Sequence, residues 1–336
     1  MKRSSIRPGD DVEQITCPAC GGDSLAVSQK LSDIVDIDEI IKRWSDCGAS
    51  FDEKTLERYS GQRIGPIRLY QCSVCGFGVY RPIVFGDSGF YSAIGQLDYY
   101  NAEKWEFDRS IAFVQSEKAH TVIDVGCGSG FFLNKLRATI PSIKVIGIEI
   151  NEAAAAKARS QGHQVEIADW QSEAFQADDL PRADVVVCHQ VLEHVDDPLR
   201  LLRMVRSMSK HSGLAIVSTP DSEGLVGADI GALTELPPHH VTKWNERAFR
   251  AALPRFGFSV LDIEYEPLPQ NLWSGYFPAV WKSNKWPALL GRAAARLANL
   301  HGEGMNWVAD NFARKGIKYV YGVGGHTIFV VARAVE

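Results

Sequence analysis

Apolar positions along this chain fall into short runs separated by polar, periodic stretches, and the pattern is clearest from Thr121 onward. Val122, Ile123 and Val125 are β-branched and closely spaced, as in a buried parallel strand, and Phe131 to Ile140 follows with helical spacing. Lys144 to Ile150 reads as a second strand. Asn151 is placed to cap a helix through EAAAAKARSQ that stops at Gly162, and Gln164 to Ile167 resumes as a strand. Asp184 to Cys188 and Leu214 to Ser218 are the fourth and fifth strands. The helix predicted between them opens at Asp197-Pro198, carries Leu199, Leu202, Val205 and Met208 on one face, and ends at Gly213. Phe258 to Tyr265 and His326 to Ala332 supply a sixth and a seventh strand. Such alternation of strand and helix predicts an α/β protein built on a doubly wound sheet.

The turn after the first strand, DVGCGSGFF, holds Gly126, Gly128 and Gly130, which let the backbone pass close beneath a ligand. A dinucleotide fingerprint, G-x-G-x-x-G, needs its third glycine at position 131, where Phe131 stands, so the spacing speaks against NAD. Glu149 closes the second strand nineteen positions after Gly130. An acid beyond the carboxyl end of that strand suits the hydroxyls of a ribose.

Two matching knuckles stand near the start, Cys17-Pro-Ala-Cys20-Gly and Cys72-Ser-Val-Cys75-Gly. The two-residue gap turns both sulfurs of a knuckle toward one ion, and the two pairs sum to a tetrahedral four-cysteine zinc site. The 51 residues between Cys20 and Cys72 exceed the spacing of a compact ribbon, so the intervening chain is an insertion. Periodicity over Ile37 to Trp44 and Phe51 to Tyr59 predicts two short helices there. Cys47, Cys127 and Cys188 read as small buried apolar residues.

With 336 residues the chain divides naturally into a zinc-ribbon module with a helical insertion (1–80), an aromatic-rich helical cover (81–120) and an α/β domain (121–336). Within the last, 266–318 is a long insert with many tryptophans and a helical stretch, Ala288 to Leu300, that serves as a lid, a substrate wall or a homodimer contact. A net charge of −5, with no basic run, argues against nucleic acid as a partner and for a small-molecule acceptor. The N-terminus lacks the apolar stretch of a signal, and no segment approaches a membrane span, so a cytoplasmic location without a membrane partner is expected.

DVGCGSG, IGIEIN, Ala168-Asp169-Trp170 and DVVVCHQVLEHVDDP, taken in that order, resemble the class I S-adenosylmethionine-dependent methyltransferases over roughly the last two thirds of the chain. The resemblance implies a seven-stranded Rossmann-like sheet with an antiparallel last strand, and S-adenosylmethionine as methyl donor. It also implies roles for particular residues. Asp124 and the turn of Gly126, Cys127, Gly128, Gly130 and Phe131 would hold the amino-acid end of the cofactor, and Glu149 its ribose. Asp169 would accept from the adenine amino group, with Trp170 and Ile150 packed on the ring, while Cys188 and His189 would face the sulfonium. Tyr99 or Tyr100 of the cover would touch it. The segment from Pro237, PPHHVTKWNERAFRAALPRFGF, resembles the branch that modifies sugars and small hydroxylated metabolites, which makes His240, then His239, with His194 in reserve, the candidate general bases. LEH at 192–194 is similar to the ubiquinone-pathway O-methyltransferases, in which this segment can hold a divalent ion. Gln190 stands where a further acid is expected, so no catalytic metal is predicted. Two other readings stay open, a zinc-ribbon RNA methyltransferase and a noncatalytic S-adenosylmethionine-binding protein.

Overall fold

The computed structural model describes residues 16–23, 25–27, 34–60, 65–97, 103–167, 180–224, 232–272, 314–315 and 318–335. The N-terminal part holds strands β1 (Leu25–Val27), β2 (Ile34–Val35), β3 (Ile67–Cys72) and β4 (Gly78–Arg81). Helices α1 (Ile37–Asp46) and α2 (Glu53–Ser60) lie between the knuckles, where the periodicity places two helices. Asp36 caps α1 by accepting from the amides of Asp38 and Glu39, and Ile37, Ile40, Ile41 and Trp44 form its buried stripe. Two more helices follow, α3 (Ser88–Ile94) and α4 (Trp105–Ser116).

The large sheet then begins with β5 (Thr121–Val125), α5 (Phe131–Thr139), β6 (Lys144–Glu149), α6 (Glu152–Ser160) and β7 (Gln164–Ile167). It continues through β8 (Ala183–His189), α7 (Pro198–Met208), β9 (Ser209–Pro220), the two-residue β10 (Thr242–Lys243), α8 (Glu246–Ala252), β11 (Phe258–Pro269) and β12 (Tyr319–Ala334). Seven strands run in the order β11-β12-β9-β8-β5-β6-β7. The five from β9 to β7 are parallel, and β12 is antiparallel to both its neighbours. This is the Rossmann-like methyltransferase fold with its antiparallel last strand.

Buried residues of β5, β6, β8 and β9 face both ways, as a sheet covered on both sides requires. One core layer includes α4, α5 and α6 residues such as Ile111, Leu133 and Ala155. The other includes Leu202 and Val205 of α7, Phe249 of α8, and the knuckle cysteines Cys17, Cys72 and Cys75. The cysteine region is therefore continuous with the main core. β10 reinforces this by pairing with β4, and Phe77 packs against Trp244 with ring centroids 4.9 Å apart.

Three boundaries differ from the sequence expectation. The buried face of α7 is Pro198, Leu201, Leu202, Met204, Val205 and Met208, which keeps the expected Leu202, Val205 and Met208, widens the stripe to Leu201 and Met204, and leaves Leu199 half-buried in the first turn. That helix ends at Met208 rather than Gly213, and Ser212 makes the turn into the core of β9 with φ +59°. Glu266 to Pro269 continue β11 instead of opening the insert, and residues 319–325 belong to β12. Residues 273–313, which include the expected helix at Ala288 to Leu300, lie outside the described residues, as do Tyr99, Tyr100, Asp169 and Trp170.

Candidate active site

The carboxyl ends of β5, β6, β8 and β9 converge, as a doubly wound sheet dictates, and a cavity of about 490 Å³ opens there. Its floor is the glycine turn. The amides of Gly126 and Cys127 both donate to Ile148 O, and Gly130 N donates to Cys127 O, so the turn is pinned to β6 and closed on itself. Gly126, Gly128 and Gly130 have φ of +77°, +53° and +83°. A Cβ at Gly126 would overlap Val191 Cγ2, and one at Gly130 would stand 3.0 Å from Ala158 Cβ.

Asp124, Gly126, Cys127, Gly128, Phe131 and His189 all line this cavity. Asp124 is buried, and burial together with the nearby Glu149 carboxylate raises its pKa to about 8. Glu149 is buried beside the turn and accepts from Gly128 N at 2.7 Å, Ile150 N and Asn151 N. Those amides are the first partners of the carboxylate expected to reach the ribose. Ile150 packs partly buried against the core, and Cys188 sits wholly within it among Val125, Ile148 and Val217, so neither lines the cavity. His189 bonds through Nε2 to Ser110 Oγ at 2.7 Å and packs against Phe107 and Phe132. Burial pushes its pKa down to about 3 and keeps the ring neutral.

The opposite wall is polar and strongly connected. His239 stacks on His240 and His194 meets both edge-on, with ring centroids 4.4 to 4.7 Å apart. Nδ1 of His194 bonds to His239 O at 2.6 Å, Nδ1 of His239 bonds to Thr234 O at 2.6 Å, and Nδ1 of His240 faces Glu235 Oε1 at 3.3 Å. Glu235 is a buried hub that also meets Lys243 Nζ at 2.8 Å and His326 Nε2 at 2.9 Å. Burial opposes its charge, yet His240, His326 and Lys243 hold its pKa well below the usual carboxylate range. Burial lowers the pKa of all three histidines, that of His194 to about 3.

Other wall residues are Glu193, which belongs to the LEH segment singled out in the sequence, and Glu266 and Lys104, which gave no signal in the sequence pattern. Glu266 enters the cavity because β11 changes register against β12 between Tyr265 and Pro267, a bulge that re-aims the intervening side chain, and its Oε2 accepts from His326 N and Thr327 N. Glu193 is 1% exposed, and neither carboxylate oxygen has a hydrogen-bond partner. Burial raises its pKa to about 8. Lys104, at the start of α4, also lines the cavity and contributes positive potential at Asp124, Glu193 and His194. The TEL that precedes PPHH was the one available hint of Glu235.

Away from this cavity, Cys17, Cys20, Cys72 and Cys75 offer four sulfurs within 4.8 Å of one another. The two knuckles fold alike. Gly21 N donates to Cys17 O and Gly76 N to Cys72 O, with φ of +78° and +75° at the two glycines. The Cys17–Cys75 and Cys20–Cys72 sulfur distances are both 3.7 Å. A tetrahedral zinc with Zn–S bonds of about 2.3 Å requires sulfur edges of about 3.8 Å, so the donor set fits that ion. Burial raises the pKa of Cys17 and Cys75, the latter to about 11, a cost that a doubly charged ion reverses. Arg255 fastens the first knuckle by donating to Pro18 O and Ala19 O.

Residues 98–263, just under half of the chain, match the protein family described as "Methyltransferase domain". Among curated proteins, the ubiquinone biosynthesis O-methyltransferase of Neisseria meningitidis serogroup C is 33% identical over 103 residues, which cover 29% of this chain and 43% of that protein. A Mycobacterium tuberculosis protein named "Probable S-adenosylmethionine-dependent methyltransferase" is 30% identical over 140 residues, 42% of this chain and 49% of its own length. The chain thus spans less than half the length of these relatives. Among solved structures, an S-adenosylmethionine-dependent methyltransferase from Archaeoglobus fulgidus superposes with a TM-score of 0.43 at 20% identity, covering 68% of this chain and 94% of that one. The matched stretch contains the glycine turn, Glu149 and the histidine cluster.

Proposed function

We propose that this protein transfers a methyl group from S-adenosylmethionine to a hydroxyl of a small, sugar-like acceptor. The observation that carries the reading is the make-up of the cavity. On one side lies a pinned glycine turn beside the buried Asp124, with Glu149 held behind the turn and outside the cavity lining, and on the other a wall of hydroxyls, carboxylates and imidazoles formed by Thr234, Glu235, Glu266, His326 and Thr327 with the histidine cluster. Such a wall suits an acceptor with several hydroxyl groups, whereas a flat phenol calls for an aromatic slot. The concentration of carboxylates also disfavours a phosphate-rich nucleic acid, and it favours a ligand that carries positive charge, such as a sulfonium.

When bound, S-adenosylmethionine supplies an activated methyl on a cationic sulfur. The residues then position and deprotonate. The turn and Asp124 would hold the amino-acid end of the cofactor, Glu149 would accept from its ribose hydroxyls, and His189 with Phe132 would bound the space near the methyl. His240, oriented by Glu235, together with His239 and His194 activates the acceptor hydroxyl. Fixing donor and acceptor in line replaces roughly 7 to 11 kcal/mol of barrier, so little further chemistry is needed. Structural zinc at the four cysteines ties the N-terminal strands to the α/β core.

The test is transfer of labelled methyl to a panel of nucleotide sugars, followed by His240→Gln on whichever acceptor turns over. Turnover is expected to fall by roughly two to four orders of magnitude with S-adenosylmethionine affinity unchanged. Undiminished turnover in the variant would remove the histidine cluster from the chemistry.

A further inference from the structure

We propose that the acceptor is an amino sugar, with a primary amino group besides its reacting hydroxyl, and that the cavity holds this group as an ammonium against the carboxylate of Glu193. The role as acceptor rests on the methyl-transfer reading; binding of the amine does not. Glu193 lines the cavity, is 1% exposed, and neither of its oxygens has a hydrogen-bond partner among the described residues. A buried carboxylate in that state is costly unless a cation stands beside it. Nε2 of His194 lies 3.8 Å from Oε1, but burial keeps that ring neutral.

The surroundings of Glu193 are a built wall. Glu106 of α4 is 2% exposed and accepts from Gln190 Nε2 at 3.3 Å, and the same nitrogen donates to Thr327 Oγ1 at 3.4 Å. Thr327 N donates in turn to Glu266 Oε2, which also accepts from His326 N. Glu106, Gln190, Thr327 and Glu266 thus form one hydrogen-bonded arc, and all four line the cavity together with Glu193. The charges of Glu235 and Glu106 act on Glu193, and that of Glu106 acts on Glu266. Burial raises the pKa of Glu193 to about 8, a rise that an adjacent ammonium reverses.

The other acids of the site already answer to other groups. Asp124 is coupled to Glu149 at the glycine turn, on the cofactor side. Glu235 meets Lys243 Nζ and His326 Nε2. Among the described residues that line the cavity, Lys104 is the one lysine or arginine, and its Nζ stands 5.9 Å from the centre of the Phe107 ring rather than in an ion pair. The positive charge that Glu193 lacks therefore comes with the ligand. An ammonium has three donors and no acceptor, which matches a wall that offers carboxylate and hydroxyl oxygens.

The experiment is a binding comparison on the full chain, with and without saturating S-adenosylhomocysteine, which lacks the sulfonium charge. Glucosamine, galactosamine and mannosamine are each titrated beside the neutral parent sugar and the N-acetylated form. At least one amino sugar should bind about 10-fold or more tightly than both counterparts, and Glu193→Gln should erase that preference by lowering its affinity roughly 10- to 100-fold. The discrimination shown by wild type does not depend on how the variant folds. Equal binding within every set, no binding of any amino sugar, or a preference that survives Glu193→Gln overturns the site. So does a Glu193→Gln variant that loses affinity for S-adenosylmethionine but not for S-adenosylhomocysteine, because the carboxylate then serves the sulfonium. Amine preference without S-adenosylmethionine binding refutes the methyl-transfer reading and leaves the amine site standing. Methyl transfer to a neutral sugar with no amine preference does the reverse.

Discussion

Replacing Gly126 by alanine probes the turn on which the cofactor side of the cavity depends. Two separate costs follow from the structure. The residue has φ +77°, and an L side chain in the left-handed region costs about 1 to 2 kcal/mol. The new Cβ would also overlap Val191 Cγ2, far inside normal contact, and Val191 has little room to yield because its χ1 is stiff and it is itself 7% exposed. Overpacking of this kind costs typically 1 to 3 kcal/mol. The sum predicts a loss of about 2 to 5 kcal/mol, or a displaced turn with weakened cofactor binding. Urea unfolding of Gly126→Ala, Val191→Ala and the double variant separates the terms. Val191→Ala in the Gly126→Ala background should recover the overpacking part and leave the backbone part, a favourable coupling of about 1 to 3 kcal/mol. Purely additive losses would mean that the close approach of Gly126 to Val191 is not a feature of the folded protein.

Cys72→Ser should lower the zinc content by one ion per chain and reduce thermal stability, as measured by elemental analysis and calorimetry. Because the cysteine layer is continuous with the main core, the loss should appear in a single unfolding transition, and a separate low-temperature transition would contradict that continuity. Asp184 accepts from His120 N, Thr121 N and Thr121 Oγ1 and pairs with Lys210 Nζ at 2.7 Å. Partial burial opposes its charge, but these partners hold its pKa well below the usual range. A depressed folded-state pKa gives stability that is present above the unfolded value of about 3.9 and is lost as the pH falls through the lower folded value. Asp184→Asn should therefore cost about 1 to 3 kcal/mol at pH 7, with a difference from wild type that shrinks below about pH 4. A difference independent of pH in urea unfolding would refute this assignment.

Much of the α/β frame was legible because β5, β6 and β8 are short runs rich in β-branched residues, and α6 and α7 carry their own caps at Asn151 and Asp197. The paired knuckles were legible for the same local reason, since C-x-x-C-G specifies its own turn. Other features depend on tertiary placement. Glu266 reaches the site through a bulge that no pattern announces, and Cys188 and His189, adjacent in sequence, part company because successive strand residues face opposite sides of a sheet. His194 joins His239 and His240 only when the segment after β9 folds back over the end of β8, and Val241 N and Thr242 N fasten it there by donating to Glu193 O.

The central claim is that the cavity above the glycine turn binds S-adenosylmethionine, and titration calorimetry of the purified chain with S-adenosylmethionine and with NAD tests it most directly. The account predicts saturable binding of S-adenosylmethionine, no binding of NAD, and a loss of about 1 to 3 kcal/mol of affinity in Glu149→Ala from the missing charge-assisted bonds to the ribose. Binding of NAD in place of S-adenosylmethionine, or affinity untouched by the loss of Glu149, would contradict it.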